Sequence, residues 1–124
     1  MSKLNKKELP TEEYVKKFEI LQNFLVTLSK DMKEYAKKKP NEPINTYKVK
    51  KINKLLIEVK KLLENETTID YLEILDEDIL PSFSDTDIEV GQFNAAMDRY
   101  KKEHFGYDSY SLKDRWFTKE NPKR

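Results

Sequence analysis

Residues 11–38 read TEEYVKKFEILQNFLVTLSKDMKEYAKK, and apolar positions recur within them at Tyr14, Phe18, Leu21, Leu25, Leu28, Met32 and Tyr35. Steps of four and three residues alternate without a break, which keeps one face of an α-helix apolar for about three heptads. Phe24 and Ala36 widen the stripe toward that of a helix in a globular bundle. Thr11 is placed to cap the start, Glu12 and Glu13 face the positive end of the helix dipole, and Lys37, Lys38 and Lys39 face the negative end before Pro40 stops the helix. One such helix buries little alone, so the rest of the chain must supply its neighbours.

After a loop at Pro40-Asn41-Glu42-Pro43, a second helix is expected from about Asn45. It turns Val49, Ile52, Leu55, Leu56, Val59, Leu62 and Leu63 inward and leaves Lys50, Lys54 and Lys61 as a basic ridge on the far side. A short acidic third helix is expected over residues 68–78, with Ile69, Leu72 and Leu75 inward, and Asp70, Glu73 and Glu77 outward. Ser84-Asp85-Thr86-Asp87 resembles a capping box and predicts a fourth helix from Asp85, burying Val90, Phe93, Ala96, Met97, Tyr100 and His104. Gly91 reads as a point of close helix packing and Gly106 as the left-handed residue that ends the helix. Ser111-Leu112-Lys113-Asp114 would cap one further short helix. The expected fold is all-α: an antiparallel bundle of three long helices and one short acidic helix, with an aromatic-rich tail. Residues 1–10 form a flexible N-terminus in this reading, residues 11–106 the bundle and residues 107–124 the tail.

A length of 124 residues fits one domain with a core of its own. With no Cys and a single His, His104, thiolate chemistry, disulfides and the Cys- or His-based metal sites are excluded, leaving only an all-oxygen Mg²⁺ or Ca²⁺ site. Asp76, Asp78, Ser84 and Asp87 share some EF-hand spacings, but Leu80 and Pro81 stand where a ligand and a glycine are required, so no metal site is expected. Glu58-Val59-Lys60 has the short form of a metal-nuclease motif, yet it falls inside the second helix with no acidic strand before it. No glycine-rich phosphate loop is present and no cofactor is expected. The charged N-terminal residues and the lack of a long apolar run lead to a cytoplasmic, non-membrane expectation.

Charge is unevenly distributed. Residues 1–61 carry a net +8, residues 62–98 a net −11 and residues 99–124 a net +4, and no Lys or Arg occurs between residues 62 and 97. Such blocks either dock on each other or meet charged partners. The expected function is therefore that of a small non-catalytic protein-binding module: an adaptor, inhibitor or regulatory subunit whose partner has a basic surface. Its contacts would be Asp70, Glu73, Asp76, Glu77, Asp78, Asp85 and Asp87, together with Tyr110, Trp116 and Phe117 of the tail. The sequence does not specify the oligomeric state, and a homodimer is compatible with it.

The competing expectation concerns nucleic acid. Lys50, Lys54 and Lys61 could follow phosphates, but without Arg or interleaved aromatics they cannot read bases. Arg99-Tyr100-Lys101-Lys102-Glu103-His104 has an Arg-x4-His spacing that resembles the active motif of HEPN-family ribonucleases. That resemblance implies metal-independent RNA cleavage by a dimer, with His104 in proton transfer and Arg99 on phosphate. Helix geometry points the other way, because residues five apart lie about 140° apart, which turns His104 inward and Arg99 outward.

Overall fold

The computed structural model describes residues 8–122, so residues 1–7 of the expected flexible N-terminus lie outside the described residues. Three α-helices, α1 (Glu12–Lys38), α2 (Thr46–Leu62) and α3 (Phe83–His104), carry the core, and an antiparallel hairpin of β1 (Phe105–Asp108) and β2 (Lys113–Trp116) follows. The helical class agrees with the sequence reading, but the four-helix antiparallel arrangement is replaced by three helices and a small sheet.

Helix α1 starts where its cap predicts. The Thr11 hydroxyl accepts from the Tyr14 amide, and the Asn45 side chain likewise accepts from Lys48 at the start of α2. Phe18, Leu21, Leu25 and Met32 of α1 pack against Val49, Ile52, Leu56 and Val59 of α2 and against Val90, Phe93 and Met97 of α3. Phe24 and Tyr35, expected in the seam, are exposed, while Val15 and Ser29 are buried instead. The inner face of α1 is thus turned by about one residue from the expected seam at these positions.

Chain direction follows from the contacts at the two ends. Tyr35 near the end of α1 stacks on Phe83 at the start of α3, with the Lys48 ammonium at the start of α2 beside both rings. At the other end, the Tyr14 hydroxyl donates to the Leu62 carbonyl and the Tyr14 ring meets Tyr100. Helix α1 is therefore antiparallel to both α2 and α3, which run parallel to each other. Parallel neighbours need a connection that travels the length of the helices, and residues 63–82 provide it.

That connection is where the sequence reading fails. In place of a helix over residues 68–78 there is only a 3₁₀ turn, Thr67–Tyr71, and residues 72–76 have no helical backbone. A helix there would set Glu73 and Glu77 at i, i+4 and Asp70 and Glu73 at i, i+3, and would put Asp76, Glu77 and Asp78 at the negative end of its dipole. The stretched chain instead buries Leu72 and Leu75 and is held by Asn53 of α2. The Asn53 side-chain amide donates to the Leu75 carbonyl at 2.8 Å, and its oxygen accepts from the Leu75 amide at 2.8 Å. One buried side chain thus supplies the pair of hydrogen bonds that a neighbouring strand would supply.

The entry to α3 also shifts. Ser82, rather than Ser84, is the cap; it accepts from the Asp85 amide, and the helix begins at Phe83 rather than Asp85. Two Ser-x-x-Asp boxes overlap here, and the earlier one prevails because it buries Phe83. The amides of Phe83 and Ser84 then donate to the Glu42 and Pro40 carbonyls of the first loop. Around Gly91 the space is open, so the expected close packing at that residue is not present. Gly106 lies in β1 with no left-handed backbone, since α3 passes directly into the strand at Phe105. The helix expected from Ser111 is replaced by the hairpin turn, where Leu112 takes the left-handed conformation with φ 60° and donates its amide to the Asp108 carbonyl.

Candidate functional site

The aromatic tail divides into an inward and an outward half. Trp116 packs edge-on to Phe18, with centroids 5.1 Å apart, and to Phe105 at 5.8 Å; its indole N–H donates to Glu19 of α1 at 3.1 Å. Phe117 is buried. These two predicted contact residues therefore close the open end of the helices, whereas Tyr107 and Tyr110 are exposed. The hairpin is organised by a pair that the sequence reading did not single out. Asp108 accepts from Arg115 Nε at 2.6 Å, from the Ser111 hydroxyl and from the Tyr110 amide. The Arg115 guanidinium beside Asp108, together with that amide, holds its carboxyl down at about 2. Arg115 also donates to the carbonyls of Trp116, Asn121 and Pro122, fixing the path of the tail. Farther on, Lys119 donates its amide to the Pro10 carbonyl and the Glu12 amide donates to Glu120, fastening the tail to the start of α1.

The acidic block separates in the same manner. Glu77 pairs with Lys50 of the basic ridge at 3.2 Å and accepts from Asn53, and these partners, Asn53 first, lower its pKa. Asp87 of α3 pairs with Lys33 of α1 at 3.6 Å. Asp76 accepts from the Ile79 and Asp78 amides and so shapes its own turn, which also lowers its pKa. Asp78 is exposed on that turn. Of the remaining ridge lysines, Lys61 pairs with Glu58 at 3.5 Å and Lys54 is exposed.

Asp70, Glu73 and Asp85, like Asp76 and Asp78, form no ion pair among the described residues. The charges of Glu73 and Asp85 act on Glu89, nearly two turns into α3. Burial pushes the Glu89 carboxyl up, and the charges of Glu73 and Asp85 push it further. Beside this wall a groove of about 300 Å³ runs between the 3₁₀ turn and α3, lined by Thr68, Tyr71 and Leu72 on one side and Gln92, Ala95, Ala96 and Arg99 on the other. Its surroundings are apolar for an exposed surface: Tyr71 is 73% exposed, Ile88 57% and Ile74 42%. Ile88, Gln92, Ala95 and Arg99 follow one another at i, i+4, i+7 and i+11 along the side of α3 that faces away from the core. Glu89, Gln92 and Ala95 were not among the contact residues expected from the sequence. The row is of mixed chemistry, with Ile88 and Ala95 apolar and Gln92 and Arg99 polar, so apolar periodicity gave no signal for it.

Arg99 and His104 do not share a site. Arg99 forms an i, i+4 pair with Glu103 at 3.9 Å on the outer face, while His104 is buried with its ring 4.5 Å from that of Tyr100. Among the described residues, no group of three His, Asp or Glu side chains could hold a metal ion, and no helix is long and apolar enough to cross a membrane.

No protein-family model, curated protein or solved structure matches this chain. Its function has to be argued from its own surface.

Proposed function

We propose that this chain is a small non-catalytic protein-binding module, acting in the cytoplasm as an adaptor, inhibitor or regulatory subunit, and that it receives a partner with a basic surface on the face built by Asp70, Glu73, Asp85 and Glu89. The observation that carries this reading is that Asp85 and half-buried Glu89 stand at i, i+4 on α3, where their like charges, with that of Glu73, raise the Glu89 pKa, and neither forms an ion pair among the described residues. Like charges held together destabilise the free chain, and a basic partner turns that cost into association rate and selectivity. Tyr110 at the hairpin tip offers a second contact, while Trp116 and Phe117 hold the hairpin in place. The burial of His104 away from Arg99 favours binding over RNA cleavage.

The test is affinity capture from a nuclease-treated lysate by the full chain, by a Glu73→Lys, Glu89→Lys variant and by Tyr110→Ala. A defined protein held in the presence of nuclease and released by charge reversal is the expected result. Recovery of RNA that nuclease abolishes and charge reversal leaves intact would overturn the reading and return attention to Lys54 and Arg99.

A further inference from the structure

We infer that the groove between the 3₁₀ turn and α3 is the seat of one basic amphipathic helix of the partner, with an apolar side chain lodged between Tyr71 and Ala95 and basic side chains over Glu73, Asp85 and Glu89. The inference rests on the protein-binding reading above and narrows it to one surface and one kind of ligand. Three observations support it. The outer face of α3 is small and apolar where a neighbour would press on it, at Gly91 and Ala95, and an added side chain at Gly91 would meet nothing within 4 Å. The space beside Gly91 is thus open, and next to the groove Tyr71 and Ile88 leave large apolar groups in water. The α3 wall of the groove runs from Gln92, about one turn beyond Glu89, to the guanidinium of Arg99, so by helical register charge is graded along α3 from Asp85 and Glu89 to Arg99. A helix laid along it with lysines at one end and an acid at the other is the complementary occupant. An extended strand fits less well, because the walls are a helix face and a 3₁₀ turn and offer no free sheet edge.

The probe is a fluorescein-labelled synthetic peptide of Leu and Lys at amphipathic helical spacing, titrated by anisotropy into the full chain at low and at physiological salt. Its two controls replace every Leu by Ser, or every Lys by Glu. The protein variants are Ala95→Trp, which fills the groove from an exposed helix position, and the Glu73→Lys, Glu89→Lys pair, each checked for native helicity by circular dichroism. The Leu/Lys peptide is expected to bind with salt-sensitive affinity, and Kd is expected to rise by about tenfold or more in both variants and with either control peptide. If charge reversal abolishes binding while Ala95→Trp and the Ser control leave it unchanged, the groove is overturned and the acidic protein-binding surface stands. Absence of binding by all three peptides overturns both. Concentration-dependent self-association of the free chain that Glu73→Lys, Glu89→Lys abolishes would make the occupant a second copy, through its own lysine face, and would also overturn the inference.

Discussion

Asn53 sits on the inner side of a helix whose other inward residues are aliphatic, and pattern reading passes over it because its chemistry is satisfied by a segment twenty-two residues away. Its two hydrogen bonds to Leu75 fix an otherwise unsupported stretch of backbone against α2. Replacing it by Leu keeps the branching and the number of side-chain heavy atoms and adds apolar surface, so burial alone would favour the change. We expect instead a loss of about 1–3 kcal/mol, since both the amide and the carbonyl of Leu75 are then left buried without partners. Urea unfolding at an unchanged denaturant slope measures this, and an Asn53→Leu variant as stable as the parent would show that the 72–76 segment is held by its leucines alone. Such a residue differs from the groove residues Gln92 and Ala95, which contribute little to the fold and can therefore be altered to test binding.

At the scale of elements, the hairpin depends on Asp108 and Arg115 as the connection depends on Asn53. The Asp108 carboxyl titrates at about 2 in the folded chain against an ordinary value of 3.8, so the folded state favours its ionised form. Its contribution is complete above the ordinary value and fades as pH falls from there toward about 2. Asp108→Asn should therefore lower stability at neutral pH, with the gap to the parent closing as acid is added. Trp116, the single tryptophan, makes its fluorescence a local reporter of hairpin detachment. A gap that stays constant across the acid range would assign the effect to lost hydrogen-bond geometry rather than charge. These two elements also mark how far sequence alone reaches. Helices α1 and α2 were legible because seven-residue apolar periodicity and a polar cap agree in both, and Pro40 marks the end of α1. Helix α3 was legible in its body and misplaced by two residues at its start, since two cap boxes overlap and tertiary contacts, the burial of Phe83 and the bonds of Phe83 and Ser84 to the first loop, choose between them. In the acidic segment Ile69, Leu72 and Leu75 fit a helical face, but a helix would hold Asp70, Glu73 and Glu77 in one repelling row, and the extended backbone held by Asn53 buries Leu72 and Leu75 without it. The hairpin was illegible: its strands are four residues each and are specified by the Asp108–Arg115 pair across the turn. Of the candidate site, the acids were visible as composition, but which of them Lys33 and Lys50 would neutralise was not, because that depends on helix direction.

Across the whole molecule, charge separation along the chain is partly cancelled by folding, and part of what survives lies on the acids of α3 and the connection before it. Lys50–Glu77 and Lys33–Asp87 join the basic half to the acidic half, whereas Glu73, Asp85 and Glu89 repel one another. For Glu89 the folded chain raises the pKa, so its ionisation costs stability above the raised value, and the cost disappears as pH falls through it. Glu89→Gln should then stabilise the free chain at pH 7 by about 0.5 kcal/mol or less, because solvent screens a partly exposed carboxylate. The gain should shrink with added salt and vanish below the ordinary carboxylate range. The same substitution is expected to weaken capture of a basic helix, so stability and binding move in opposite directions, as is common where a site retains an unfavourable arrangement for use with a partner. Thermal unfolding of parent and variant at pH 7 and in acid, set beside their peptide titrations, measures both halves. If Glu89→Gln destabilised the chain at pH 7, the acids at the groove would be part of what holds α3 to the connection, and a partner would have no repulsion to relieve.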